Sequence, residues 1–325
     1  MKPITHLVFG GNALRTLCLC GVLRYIYCYD LHNLIRDVSG TSMGAFFALA
    51  FSLKIPIEQL EKFIYEVCGK SHLTIIHTSS FFNIFNNYGI GCSLDYLEVI
   101  KKYIKDNYDK EDLTFLELSK KTGINLYVST TNISNGKNVN FNVNNTPNSS
   151  IIEAVAASMC VPFFSKPILI DGEYYVDGFI TDNFPLDVFN GINRDQILGV
   201  AVNLDKDYEM PICNKGEELS FFHYLYNIMY VIYNNTYKLC YYNKITSYND
   251  VLIIKDSPIK SIFSLKINED ENYIDLSLTE DEINNLFLQG FKETNDYMNK
   301  YNYYNSNVEL NYSNSNLDLT FSDKS

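Results

Sequence analysis

"LIRDVSGTSMGAFFALAFSL" (34–53) decides how this chain is read. "LIRDVSG" (34–40) reads as a strand. It runs directly into Gly40-Thr41-Ser42-Met43-Gly44 and then into an apolar segment of helical character. A strand that turns at once into a helix brings two backbones close together, so the turn needs small residues on both sides, and Gly40 and Gly44 supply them. Ser42 then stands at the helix N-terminus, where the helix dipole favours negative charge. The pentapeptide alone also fits a serine N-cap with incidental glycines. The flanking strand and helix favour an exposed serine nucleophile.

Upstream, "HLVFGGNALRTLCLCGVLRYI" (6–26) repeats the plan: a strand, Gly10-Gly11, and a helix over Thr16–Tyr29. Glycine between strand and helix commonly serves a negative charge, either a phosphate or the oxyanion of a reacting ester. A nucleotide fingerprint needs more glycine and an acidic residue about twenty positions on. Asp30 and Asp37 are available, but a P-loop Lys-Ser/Thr is absent and the later motifs stay unexplained. Backbone N–H groups facing an oxyanion are the alternative.

The totals set limits. The chain has 325 residues, 46% hydrophobic and 20% charged, enough for a sizeable core and too apolar for global disorder. A net charge of −12 argues against binding a nucleic-acid backbone, which needs a basic face. The nearest basic patch, "KKYIKDNYDK" (101–110), is diluted by two Asp and reads as a solvated helix face. The eight Cys form no CxxC pair and no zinc-like cluster, which suits a reducing compartment. Arg15 and Arg24 interrupt the first apolar run, so it does not read as a signal peptide, and Met43–Leu53 is expected to be too short to span a bilayer. The expected location is cytoplasmic, with peripheral membrane contact possible.

Strands and helices alternate. Pro56 and Gly69 bracket a helix. Thr114–Glu117, Ser150–Glu153 and Thr279–Glu282 have the form of capping boxes. "INLYVSTTNI" and "KNVNFNV" read as strands around an Asn-Gly turn, and "QILGVAVNL" (196–204) as another strand. Residues 71–93 show no clean period and read either as an irregular core loop or as a cover over a site. Residues 217–245 read as helical, and 301–325 as a polar, disordered tail after one domain over 1–300. The alternation predicts an α/β fold, a three-layer α/β/α sandwich with a central, mostly parallel sheet.

A serine needs a base. His223 is the only histidine well downstream, and it sits in "ELSFFHYLYNIMYVIY", an apolar helical stretch without loop chemistry. Within "SMCVPFFSKPILIDGEYYVDGFITDNFPLD" (158–187), Asp171-Gly172 and Asp177-Gly178 both place a carboxylate on a glycine turn. Periodicity does not choose between them.

With these blocks in order, the chain resembles the patatin-like phospholipases over about residues 5–298. The matching stretches are Leu7–Arg15, "GTSMG", "LTFLELSKKTGINLYVSTTNI" (113–133), "IIEAVAASMCVPFFSKPI" (151–168) and "YVDGFITDNFP" (175–185). "LTEDEINNLFLQGFKETNDYM" (278–298) is similar to the closing helix of some members. The resemblance implies a lipid acyl hydrolase with a Ser–Asp dyad and no histidine, and it selects Ser42 and Asp177. It implies an oxyanion hole at Gly11, Asn12 and Ala13, although the family's glycine triplet survives only at Gly11. A register through Gly10-Gly11-Asn12 with an insertion is the alternative. Arg15 falls on the family's basic position and would hold the loop or meet a lipid phosphate. No metal or cofactor is expected; the implied partner is a phospholipid or another acyl lipid. A non-catalytic lipid- or partner-binding protein on the same fold is the competing function. If the loop needs a left-handed residue, Asn12 is expected to take it rather than Ala13.

Overall fold

In the computed structural model the described residues are 3–69, 74–77, 80, 83–202, scattered positions of 224–236, 251–254, 266–268 and 273–301. Strand β1 (His6–Phe9) passes through a 3-10 turn (Ala13–Cys18) into α1 (Leu19–Cys28). Strand β2 (Asp37–Thr41) leads into α2 (Met43–Ser52), followed by α3 (Ile57–Cys68), β3 (Ile75–His77), α4 (Asn83–Asn87) and β4 (Gly89–Gly91). Helices α5 (Glu98–Tyr108) and α6 (Phe115–Thr122) precede the hairpin of β5 (Asn125–Asn132) and β6 (Lys137–Asn142). Then come α7 (Ile151–Ser158), β7 (Phe163–Ser165), β8 (Ile168–Ile170) and β9 (Glu173–Asp177). Further along are β10 (Ile197–Val202), β11 (Val251–Ile254), β12 (Lys266–Asn268), β13 (Tyr273–Asp275) and α8 (Glu280–Lys300).

Hydrogen-bonded neighbours in the main sheet follow the order β11-β10-β1-β2-β5-β9-β8, with β6 also on β5. β11, β10, β1, β2 and β5 are parallel; β6, β8 and β9 are antiparallel to their partners. Side-chain alternation divides the core between the faces. Leu7 and Phe9 of β1, with Leu198, Val200 and Val202 of β10, face the cluster that holds the apolar sides of the α-helices. Val8, Ile197 and Ala201 face a second cluster closed by Phe179, Phe184, Leu186 and Phe189. Helices therefore lie on both sides of the sheet, the long α-helices on one and the short 3-10 helices Gly178–Ile180 and Asp187–Phe189 on the other. This is the expected layered α/β arrangement.

Local signals explain several boundaries. Pro56 is the N-cap of α3 and Gly69 its C-cap. The capping boxes at Thr114 and Thr279 close in both directions. Ser150 makes only the forward half, and its hydroxyl also binds Asp112. In α5, Tyr103 and Ile104 are buried while Lys102 and Lys105 are exposed, the solvated face read from 101–110. The described part of 71–93 contributes β3 and β4 to two small sheets, with β13 and β7 respectively. Most of 217–245, with His223, and residues beyond 301 lie outside the described residues.

Strand β5 positions the site. β6 occupies one of its edges over Tyr127–Asn132. The other edge is shared: β2 pairs with Asn125–Ser129, and β9 takes over at Thr130–Asn132. Thr41 lies opposite Ser129 and Asp177 opposite Thr130, so the C-terminal ends of β2 and β9 meet end to end.

Candidate active site

Ser42 is the single residue between β2 and α2, with φ 56° and ψ −131°. A non-glycine residue held in such a region stores on the order of 1–3 kcal/mol and persists only where its surroundings fix it. Those surroundings are tight. A Cβ on Gly40 would lie 2.4 Å from the Gly44 carbonyl oxygen, and one on Gly44 would lie 2.5 Å from that of Phe9. The serine does not cap its helix through its side chain. Its hydroxyl instead donates to Asp177 Oδ2 at 2.7 Å, across 135 residues of sequence. Its amide donates to Ser158 Oγ at 2.9 Å.

Asp177 is fully buried. Its Oδ1 accepts the Phe179 amide at 2.9 Å, its own amide donates to the Cys160 carbonyl at 2.9 Å, and its carbonyl accepts Thr131 Oγ1 at 2.9 Å. Burial pushes the carboxyl pKa up to about 7, while the bonds from Ser42 and Phe179 pull it back by stabilising the carboxylate. The pair is thus a hydroxyl beside a carboxylate that titrates near neutrality. No histidine among the described residues hydrogen-bonds either member. Asp171, the other glycine-turn carboxylate, sits elsewhere. With φ 51° before Gly172 at φ 82°, it forms the exposed two-residue turn joining β8 to β9.

The loop after β1 touches this pair. A Cβ on Gly11 would lie 2.7 Å from Ser42 Cβ. Asn183 holds the Gly11 peptide at both ends: its carbonyl accepts the Gly11 amide at 3.3 Å, and its Nδ2 donates to the Gly11 carbonyl at 2.7 Å. The Asn12 amide donates to Thr16 Oγ1 at 2.7 Å, and its side-chain Nδ2 to the Val202 carbonyl at 3.0 Å. Two of the three amides expected to face an oxyanion are therefore committed to protein acceptors. The Ala13 amide has no partner among the described residues, and neither does that of Met43, at the start of α2.

One expectation is corrected outright. The left-handed position belongs to Ala13, at φ 44°, and Asn12 is extended at φ −160°. The bonds to Thr16 and Val202 hold Asn12 from both its amide and its side chain, so the strain falls on the next residue. Arg15 is only 3% exposed, which favours a loop-anchoring position over contact with a surface phosphate. Among the described residues no three His, Cys, Asp or Glu side chains converge as metal ligands, and no helix is long and apolar enough to cross a membrane. Sequence reading missed Asn183 and Ser158. Both lie in blocks that carry the resemblance, but their partners are distant in sequence and no local pattern reveals them.

The frame and the site describe an α/β protein with a serine elbow bonded to a buried carboxylate. Residues 7–190, more than half of the chain, match the family described as patatin-like phospholipase. The chain belongs to that family. It is 27% identical over 203 residues to the uncharacterized protein R571 of Acanthamoeba polyphaga mimivirus, covering 62% of this chain and 66% of that protein. It is 27% identical over 192 residues to the probable lipid hydrolase 463L of Invertebrate iridescent virus 6, covering 58% and 64%. It is 28% identical over 200 residues to the 1-acylglycerol-3-phosphate O-acyltransferase Pnpla3 of Mus musculus, covering 59% and 41%. The matches thus span two thirds or less of each relative. Among solved structures, VipD from Legionella pneumophila shares the fold, with a TM-score of 0.56 at 16% identity over 92% of this chain and 67% of that one.

Proposed function

We propose that this protein hydrolyses acyl esters of lipids, with Ser42 as nucleophile and Asp177 as base. The hydrogen bond of 2.7 Å between them, at a strained elbow, is the observation that carries the reading. Ser42 Oγ attacks the ester carbonyl as its proton passes to Asp177. The oxyanion of the tetrahedral intermediate takes the amides left uncommitted, Ala13 and Met43, in place of Gly11 and Asn12. Collapse expels the alcohol, which carries away the proton held by Asp177. Asp177 then deprotonates a water that attacks the acyl-serine, and Ser42 regains its proton. No step needs a metal. The name of the iridescent-virus relative supports a lipid substrate, and phospholipids, met at a membrane surface, are the class we favour.

The test is a fluorophosphonate probe, read by mass spectrometry, beside hydrolysis of phosphatidylcholine vesicles and a short-chain p-nitrophenyl ester. Labelling at Ser42, lost with hydrolysis in Ser42→Ala, is expected. Labelling of another serine, or silence from folded protein, would sink the reading and favour a lipid- or partner-binding role. The similarity to a protein named as an acyltransferase supports a second reading, in which an alcohol replaces water at the acyl-serine. Transfer of label from acyl donor to added 1-acylglycerol-3-phosphate, faster than release of free acid, would favour it.

A further inference from the structure

We infer that Ser158 is a positioning residue whose hydroxyl sets the distance between Ser42 and Asp177. The inference rests on the function proposed above. Ser158 is the last residue of α7 and is fully buried. A serine in a helix ordinarily turns its hydroxyl toward solvent or toward the carbonyl four residues back. Here the hydroxyl reaches two other elements, accepting the Ser42 amide at 2.9 Å and donating to the Ser129 carbonyl of β5 at 2.6 Å.

The Ser129 carbonyl is a fixed point shared by both reacting groups. β5 is paired along both edges. On the acid side, Gly178 sits directly against this carbonyl, where a Cβ would lie only 2.3 Å from the oxygen. Two residues along β5, Thr131 Oγ1 donates to the Asp177 carbonyl at 2.9 Å. Asp177 is thereby referenced to residues 129–131 of β5. On the nucleophile side, the Ser158 hydroxyl makes the same reference for Ser42. The Ser42 amide is one of the first-turn donors of α2 that no helical carbonyl can satisfy. Without Ser158 Oγ it would be buried and unpaired, and the strained elbow would be free to relax away from Asp177.

The inference predicts a fault in proton transfer with substrate binding intact. Misplacement of a reacting group by about 1 Å can cost 10²-fold in rate, so Ser158→Ala is expected to lower kcat by about 10–100-fold with KM little changed. The pH midpoint of fluorophosphonate labelling should also rise, because the Ser42 hydroxyl helps to stabilise the Asp177 carboxylate. Ser158→Thr, which keeps a hydroxyl on the same carbon, should recover most of the labelling rate. The number of labelled sites at completion counts folded protein. Misfolding therefore lowers the amplitude, while lost positioning lowers the rate constant. Wild-type rate constant and pH midpoint in folded Ser158→Ala would overturn the inference, as would a folded Ser158→Thr no faster than Ser158→Ala. Failure of the wild type itself to label at Ser42 would instead overturn the proposed function, and this inference with it.

Discussion

Asp177 has opposed roles in stability and in the proposed reaction. Its carboxyl titrates near pH 7, well above the ordinary range, so the folded protein holds its proton more tightly than the unfolded chain does. The resulting stability is full below the ordinary carboxyl pKa and is lost as pH rises through about 7. A base must be ionised, so in the proposed reaction activity should rise over the window in which this stability falls. Hydrolysis by the wild type should increase from pH 5 to 8 with a midpoint near 7, while the melting temperature declines. Asp177→Asn should lose about 10²–10⁴ in rate and flatten the decline in melting temperature. A rate that is level across this range would refute the assignment of the base. Ala13 gives a second test. Glycine there relieves the positive φ, so Ala13→Gly should match or exceed the wild type. Ala13→Val, β-branched and resistant to φ > 0, should lose about 10²–10³ in rate if its amide is the oxyanion donor. Full activity in a folded Ala13→Val would remove the loop from the mechanism. Ser42 was legible because an elbow leaves a local trace of glycines between strand and helix. Asp177 was distinguished from Asp171 only through resemblance, since both are turn aspartates. The exchange of roles between Asn12 and Ala13 was not legible, because the Asn12 side chain is held by Val202, 190 residues away.

At the level of elements, the contact between α1 and α8 is the most demanding. A Cβ on Gly21 would lie 1.8 Å from the Phe287 carbonyl oxygen, and one on Gly290 would lie 1.8 Å from that of Cys18. α1 thus gives up a side chain where α8 presents its backbone, and α8 gives one up against Cys18, the residue that leads into α1. Gly290→Ala should therefore destabilise the protein despite the better helix propensity of alanine. The expected loss is about 1–3 kcal/mol, the usual range for an overpacked core, seen as a lower melting temperature. A melting temperature at or above that of the wild type would mean that the helices can part at no cost. The start of α8 was legible from its capping box. The contact was not, since an isolated glycine in a helical pattern reads only as a weak point. The same holds for β5: its strand pattern is plain, but nothing local says that two strands share one of its edges.

On the scale of the whole molecule, alternation of strand and helix was sufficient for the layered α/β fold, because each element must bury its own apolar face. β10, β11 and α8, all beyond the residues matched to the family, add to the same sheet and the same apolar cluster. Stability is nevertheless expected to be uneven across this frame. β9 is held to β5 through Thr130–Asn132 and to β8 through Ile168–Ile170, two ladders of three residue pairs each. If the β8–β9 hairpin peels away, β5 keeps β2 and β6, and the main cluster keeps its helices. Urea should therefore reduce fluorophosphonate labelling of Ser42 at concentrations that leave the far-ultraviolet circular dichroism unchanged. Coincident loss of both signals would show that the hairpin unfolds only with the rest. If labelling is lost first, the seam where β2 and β9 meet acts as a fuse: mild stress disconnects the acid from the serine and stops the proposed reaction, and removing the stress lets the hairpin re-anneal to an intact edge and restore it without refolding the domain.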